Sequence, residues 1–249
     1  MKKFKKVVKR EALKRFISHS FVQNMVEFGC GNNSTPYIRQ LLKDRGSGFC
    51  LSLEDYEVYY NCIKSKYPDD EYGRIQLSKC VFDKNGLHYD YKLTEMYDFA
   101  YIDGPGYAYI LDPITNKWIS PTPRILEYFA KKKLWINPTG PKGGKGTAWM
   151  AQYIIPNLKK DGIIMVDSRK AAVIHFYQKF SKEFEFIGLG GPAGDKFYRR
   201  IIKERHRDKI KFRPFSVTLM YRKESKTAKQ IIDETGTVDE LKKIMKKNI

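Results

Sequence analysis

Along the first seventeen residues, apolar side chains fall at Phe4, Val8, Leu13, Phe16 and Ile17, with Lys and Arg filling most of the positions between them. That spacing predicts an amphipathic, strongly basic helix. From Met25 the pattern changes to short apolar runs separated by glycine turns and helical stretches. Met25–Phe28 reads as a first strand, leaving through the turn Gly29-Cys-Gly31-Asn-Asn-Ser34 into a helix from Pro36 to Asp44. Gly48–Leu53 is a second strand ending at Glu54-Asp55, followed by a helix from Tyr56 to Tyr67; Arg74–Leu77 is a third, weaker strand. Tyr97–Ile102 is a fourth, running into Asp103-Gly-Pro-Gly. A helix from Thr147 to Leu158, a turn at Lys159–Gly162 and a fifth strand at Ile163–Val166 lead to Asp167-Ser-Arg. A helix over Ala171–Phe184, a sixth strand at Phe186–Leu189 and a seventh at Ser216–Tyr221 complete the alternation. Strands alternating with helices predict an α/β domain whose mostly parallel sheet is covered on both faces.

The organisation expected is one domain over residues 1–222, with a basic helix within 1–20, a long insert at 107–146 and a polar tail at 223–249. A final helix is expected in that tail from Val238 to Lys247. With 42% hydrophobic and 14% aromatic residues, the 249-residue chain is excluded from the class of chains disordered throughout. No run reaches the roughly 18 apolar residues that cross a bilayer, and the basic N-terminus leads into no apolar core of a secretory signal. Cys30, Cys50, Cys62 and Cys80 make no Cys-x-x-Cys pair and no zinc spacing, so reduced thiols in a cytoplasmic setting are expected.

The formal net charge is +19, from 47 Lys+Arg against 28 Asp+Glu. Residues 1–16 hold eight basic residues and one acidic, residues 117–145 seven and one, and residues 196–213 nine and two. A near-neutral body therefore carries three basic segments, which favours a polyanionic partner such as RNA or DNA.

Chemistry concentrates at the strand ends. A glycine turn leaving the first strand brings backbone close to a ligand at the start of a helix. Glu27 before that turn and Glu54 after the second strand can accept hydrogen bonds from an amino group or from ribose hydroxyls. The third glycine of a dinucleotide fingerprint is replaced by Ser34, which demotes NAD and an oxidoreductase reading. The Gly140–Thr147 stretch fails the spacing of a phosphate-binding P-loop.

With Val26-Glu-Phe-Gly-Cys-Gly-Asn-Asn-Ser34, Glu54-Asp55, Tyr97–Pro105 and Leu158–Asp167 in this order, the sequence resembles the class I S-adenosylmethionine-dependent methyltransferases over roughly residues 22–190. The resemblance implies a Rossmann-like three-layer sandwich, a seven-stranded mostly parallel sheet with an antiparallel last strand. It also implies S-adenosylmethionine as cofactor, held by Glu27, Gly29, Gly31, Asn33, Ser34, Glu54, Asp55 and Asp103. Ser78 or Asp83 would lie near the adenine, with an extra turn expected around Asn85-Gly86.

Asp103 and Asp167 close the fourth and fifth strands, where both would face the ligand crevice. They are the expected catalytic residues, with Lys170 beside them. This pair also looks like that of the metal-dependent O-methyltransferases, which would make Asp103 and Asp167 ligands of Mg2+. Ser168 stands where those enzymes commonly carry Asn or Asp, and the alternative is that Asp103 orders the cofactor loop while Asp167 caps the next helix. The Lys-Asp-Lys-Glu tetrad of the heat-shock-type rRNA ribose methyltransferases fails at Asp167.

Within the insert, aromatic residues such as Tyr107 interleave with Lys131, Lys132, Lys133, Lys142 and Lys145, a composition that suits stacked bases and paired phosphates. Arg169, Arg199 and Arg200 join them as expected substrate contacts; a solvated basic face is the plainer alternative. The four histidines are scattered without a recognisable partner. The function expected is transfer of a methyl group to an oxygen or nitrogen nucleophile of an anionic substrate, with nucleic acid favoured over a small molecule. The rival from another class is an inactive methyltransferase-like subunit that binds nucleic acid.

Overall fold

Strand alternation decides the architecture. The computed structural model of the chain describes residues 2–55, 57–83, 86–104, 110–111, 118–119, 150–167, 173, 176–177, 179–192 and 215–246. Helix α1 (Lys2–Ile17) precedes β1 (Asn24–Phe28), α2 (Thr35–Arg45), β2 (Phe49–Glu54), α3 (Glu57–Lys66) and β3 (Gly73–Leu77). The extra turn expected near Gly86 is present as a hairpin of β4 (Cys80–Asp83) and β5 (Gly86–Tyr89). Strand β6 (Tyr97–Ile102) is followed by the two-residue pair β7 (Ile110–Leu111) and β8 (Trp118–Ile119). Then come α4 (Met150–Ile154), β9 (Leu158–Asp167), β10 (Phe184–Pro192), β11 (Phe215–Arg222), α5 (Lys226–Glu234) and α6 (Thr237–Lys246).

Seven strands form one sheet in the order β10-β11-β9-β6-β1-β2-β3. The ladders linking β9, β6, β1, β2 and β3 are parallel, whereas β11 pairs antiparallel with both β9 and β10. The seven-stranded sheet with an antiparallel last strand, expected from the resemblance, is therefore present.

Alternate residues of each strand feed two cores. Val26, Phe28, Leu51, Leu53, Ala100, Ile102, Ile164 and Val166 pack on the face covered by α4 and by Val173 and Phe176. Met25, Cys50, Phe99, Tyr101, Ile163 and Met165 pack on the face covered by α1, α2 and α5. The two sets differ by one residue along each strand, as the pleat requires.

Two expectations change. The helix predicted over Thr147–Leu158 ends at Ile154, because Pro156 cannot continue it and a single 3-10 turn follows; residues 147–149 lie outside the described residues. The turn predicted at Lys159–Gly162 lies inside β9, where a register shift between Tyr97 and Phe99 absorbs those residues against β6. In the C-terminal segment, α6 (Thr237–Lys246) matches the helix expected at Val238–Lys247 and lies against α1 and β10, while α5 buries Ala228, Ile231 and Ile232. Ser225 caps α5 by accepting from the Ala228 N–H at 2.9 Å, and donates to Asp161 at 2.5 Å. The apolar residues of this segment are few, but they share one helical stripe.

Helix α1 is fixed from several sides. Val8, Ala12, Leu13, Phe16 and Ile17 are fully buried, and Phe16 stacks on Phe99 at 5.4 Å between ring centroids. Arg45 donates to the Ile17 carbonyl at 2.6 Å, satisfying a group that the end of a helix leaves without a partner, and to the His19 carbonyl just beyond at 2.5 Å. Arg15 donates to the Thr235 carbonyl at 3.1 Å, tying α1 to the C-terminal helices. Ile232→Ala should therefore lower unfolding free energy by about 2–4 kcal/mol, as expected for a buried large-to-small change. Urea denaturation followed by circular dichroism measures this; a detached tail would give no loss.

Candidate functional site

The strand order reverses between β1 and β6, and in open parallel sheets the carboxyl ends around such a reversal form the ligand crevice. Glu27 lies across from Ser52 on β2 and from Tyr101 on β6, and Tyr101 lies across from Met165 on β9. This row faces α1 and α2, and the alternation carries Asp167, the last residue of β9, and Asp103, just past β6, to the same side.

The glycine turn is braced from beneath. The Glu27 carboxylate is fully buried and accepts from the Thr35 and Ser52 hydroxyls, each at 2.7 Å through Oε2. Thr35 Oγ1 in turn accepts from the Gly31 N–H at 2.8 Å, so the carboxylate fixes the turn through Thr35. Glu27 Oε1 is buried without a hydrogen-bond partner, and burial holds the Glu27 pKa above its ordinary value despite the Ser34, Ser52 and Thr35 hydroxyls. Ser34 is buried at the start of α2, whereas Asn33 is exposed.

Gly29 has φ +82° and lies against Gly104. A Cβ on Gly29 would stand 2.6 Å from the Gly104 Cα, and one on Gly104 would stand 2.5 Å from the Gly29 Cα. Both the Asp103 and the Gly104 N–H donate to the Phe28 carbonyl, at 3.0 and 2.6 Å. Glycine at 29 thus serves the contact between two loops.

Carboxylates crowd this turn. The Cys30 thiol is buried and its pKa is pushed far up, first by burial and then by Glu54, Glu27 and Asp55. The same group therefore senses three acidic residues drawn from β1 and the end of β2. A thiol in that field is no nucleophile. Burial also raises the Asp55 pKa from its usual 3.8 to about 6. Ser78 is buried, and its N–H donates to the Glu54 carbonyl at 2.8 Å; the side chain of Asp83 lies outside the described residues.

The sequence reading missed Lys9. Its ammonium donates to Asp103 Oδ2 at 2.9 Å and to Asp167 Oδ2 at 2.7 Å. The three side chains are 16%, 27% and 13% exposed, so Asp103 is the most open of them. Burial alone would lower the Lys9 pKa, but the two carboxylates outweigh it and hold the group above its ordinary value. Tyr101 lies beneath, its hydroxyl donating to Asp167 Oδ2 at 3.2 Å and its ring 5.2 Å from the ammonium. A signal for Lys9 existed, since it is spaced four and seven residues before Leu13 and Phe16, on the buried side of α1.

The pair Asp103 and Asp167, expected as Mg2+ ligands, does not fit a metal. Each directs an oxygen to the Lys9 ammonium, and a divalent cation placed between them would stand against that charge. Among the described residues, no group of three or more His, Cys, Asp and Glu is placed to hold a metal ion.

The structure thus brings together Glu27, Gly29, Gly31, Asn33, Ser34, Glu54, Asp55, Asp103 and Asp167. Lys170, Tyr107, Lys131, Lys132, Lys133, Lys142, Lys145, Arg169, Arg199 and Arg200 lie outside the described residues. Cys30, Cys50 and Cys62 carry free thiols, and no described helix is long and apolar enough to cross a membrane.

The sequence matches no protein-family profile and no curated protein. Similar folds occur among solved structures. The SAH-bound methyltransferase PaMTH1 of Podospora anserina shares 11% identity over 87% of this chain and 78% of its own, with a TM-score of 0.48. The plantazolicin methyltransferase BpumL with SAH shares 11% over 87% and 82%, with a TM-score of 0.41. NSun6 from Pyrococcus horikoshii with SFG shares 14% over 74% of this chain and 44% of its own, at 0.43.

Asp55 supplies a pH test of the crevice. Because its folded pKa of about 6 lies above the usual 3.8, its contribution is present below that lower value and is lost as pH rises through 6. Asp55→Asn should therefore be more stable than the parent at pH 8 by about 1–3 kcal/mol, with the advantage vanishing near pH 4. Thermal melts of both proteins across that range measure the difference.

Proposed function

We propose that the chain is an S-adenosylmethionine-dependent methyltransferase acting on an oxygen or nitrogen nucleophile of an anionic substrate, with nucleic acid the favoured class. The observation that carries this reading is the ring of carboxylates on the glycine turn. Glu27, Glu54 and Asp55 all act on the Cys30 thiol, and the loop of Asp103 and Gly104 is pressed against Gly29. A pyrophosphate would meet repulsion there, whereas a ligand carrying a sulfonium and an ammonium would be drawn in. The antiparallel β11 between β9 and β10 adds support, since the dinucleotide-binding sheet is built in the order 3-2-1-4-5-6 from parallel strands.

The residues present fit this cofactor. Glu54 and Asp55 end β2 where ribose hydroxyls and adenine would lie, and the Gly29–Gly31 turn would take the methionine portion, close to the unpartnered oxygen of Glu27. When bound, S-adenosylmethionine supplies a methyl group already activated by its sulfonium, leaving the protein to position, orient and deprotonate. Asp103, at the end of β6 and the most open of the three charged groups, would take the proton of the acceptor. Asp167 and Tyr101 support it through Lys9. The basic segments at 117–145 and 196–213 would meet the phosphates of the substrate.

Isothermal titration should show binding of S-adenosylmethionine and none of NAD, with Glu54→Ala weakening the cofactor by tenfold or more, the loss of about 1.4 kcal/mol or above. Retention of nucleic acid with no cofactor binding would favour the inactive-subunit reading. In a salt titration of RNA binding, neutralising Lys131–Lys133 or Arg199–Arg200 should weaken affinity and flatten its dependence on salt, leaving cofactor affinity unchanged.

A further inference from the structure

We propose that Lys9 is the resident cation of the Asp103–Asp167 pair: its ammonium fills the place between the two carboxylates that a divalent metal would otherwise take, and holds Asp103 in position for methyl transfer. The catalytic half of this statement rests on the methyltransferase reading; the cation half does not.

The geometry is specific. One ammonium reaches both carboxylates at 2.9 and 2.7 Å, from residues 94 and 158 positions away in the chain. Tyr101 supplies a second donor to the same Asp167 oxygen and a ring against the ammonium. The position of the lysine is set by the whole of α1, through the buried Val8, Ala12 and Leu13, the Phe16–Phe99 stack and the Arg45 contact to its last carbonyl, that of Ile17. A lysine that merely snorkelled along the helix would have its charge in water. Here the charge points inward, to the carboxyl ends of β6 and β9.

Charge bookkeeping favours the same conclusion. Two carboxylates and one ammonium leave a single net negative charge, compatible with a group that accepts a proton from the substrate. Mg2+ demands near-octahedral oxygen ligands, and here the nearest oxygens of both acids are engaged by nitrogen. Lys9 is thus a positioning residue acting through Asp103, and the site works without a metal.

Removing the ammonium should create what it replaces. In calorimetric titrations, the unaltered protein should show no Mn2+ binding up to about 1 mM, and Lys9→Ala should bind Mn2+ at least tenfold more tightly, a gain lost again in the double variant with Asp167→Asn. A lysine that only anchored a helix would leave no metal site behind. Methyl transfer by the unaltered protein should be indifferent to EDTA. Lys9→Ala should lower kcat tenfold or more with little change in cofactor affinity, and Lys9→Arg should recover part of it. Mn2+ binding to the unaltered protein that Asp167→Asn abolishes overturns the proposal, as does a folded Lys9→Ala with no gain in Mn2+ affinity. If Lys9→Ala does not fold, Lys9→Gln and the titration of the unaltered protein decide the matter. Absence of cofactor binding would remove the methyltransferase reading, while the Mn2+ titrations would still test Lys9.

Discussion

A charge taken out of water must meet its partner in the fold, and at the carboxyl ends of β6 and β9 that partner is Lys9. An unpaired ammonium on the buried side of α1 would be costly, and so would two adjoining carboxylates without a cation. Each side is tolerable only when the other is present, so docking of α1 and assembly of the strand ends are one event. Breaking a buried pair by removing one partner costs about 3–5 kcal/mol in well-shielded cases, and less where water reaches the groups, as at Asp103. The apolar contacts of α1 supply the bulk attraction, and the ion pair sets its register.

A second constraint is steric. Gly29 and Gly104 meet where neither tolerates a side chain, which brings the turn after β1 against the loop after β6. From the other side, Glu27 reaches the Gly31 N–H through Thr35. The turn is therefore gripped between a buried acid below and a backbone contact beside it. A crevice built this way is organised before a ligand arrives, which reduces what binding must spend on ordering it.

The strands were legible because a pleated chain must alternate its faces, and each of the seven predicted runs is found in the sheet. Elements whose character depends on distant partners were not. Lys9 looked like one more charge on a basic helix, since Asp103 and Asp167 are remote in sequence. The C-terminal helices looked polar because Ala228, Ile231 and Ile232 are diluted by charged neighbours, although their spacing of three and four residues marks a single stripe. Glu27 was recognised as important, but only the hydroxyls of Ser52 and Thr35 reveal that it braces the turn. Gly29 was read as part of a turn that lets backbone approach a ligand; its contact with Gly104, which no sequence spacing shows, also requires glycine there.

The charge of the chain also divides once the structure is known. Of the basic residues in the first segment, Lys9 is spent inside the fold, while Arg10 and Lys14 are exposed, Arg10 lying over the Tyr37 ring at 5.0 Å. The +19 is thus not a uniform coat. The described crevice is acidic, with Glu27, Glu54, Asp55, Asp103 and Asp167 against one lysine, in a chain whose formal net charge is +19. The cationic cofactor and anionic substrate of the proposed function would make opposite demands on such a surface. Lys9 neutralises part of the acidic pair, and under the proposed function it would lower the repulsion that an anionic substrate meets on approaching Asp103, leaving the carboxylates of the glycine turn unneutralised for a cationic cofactor.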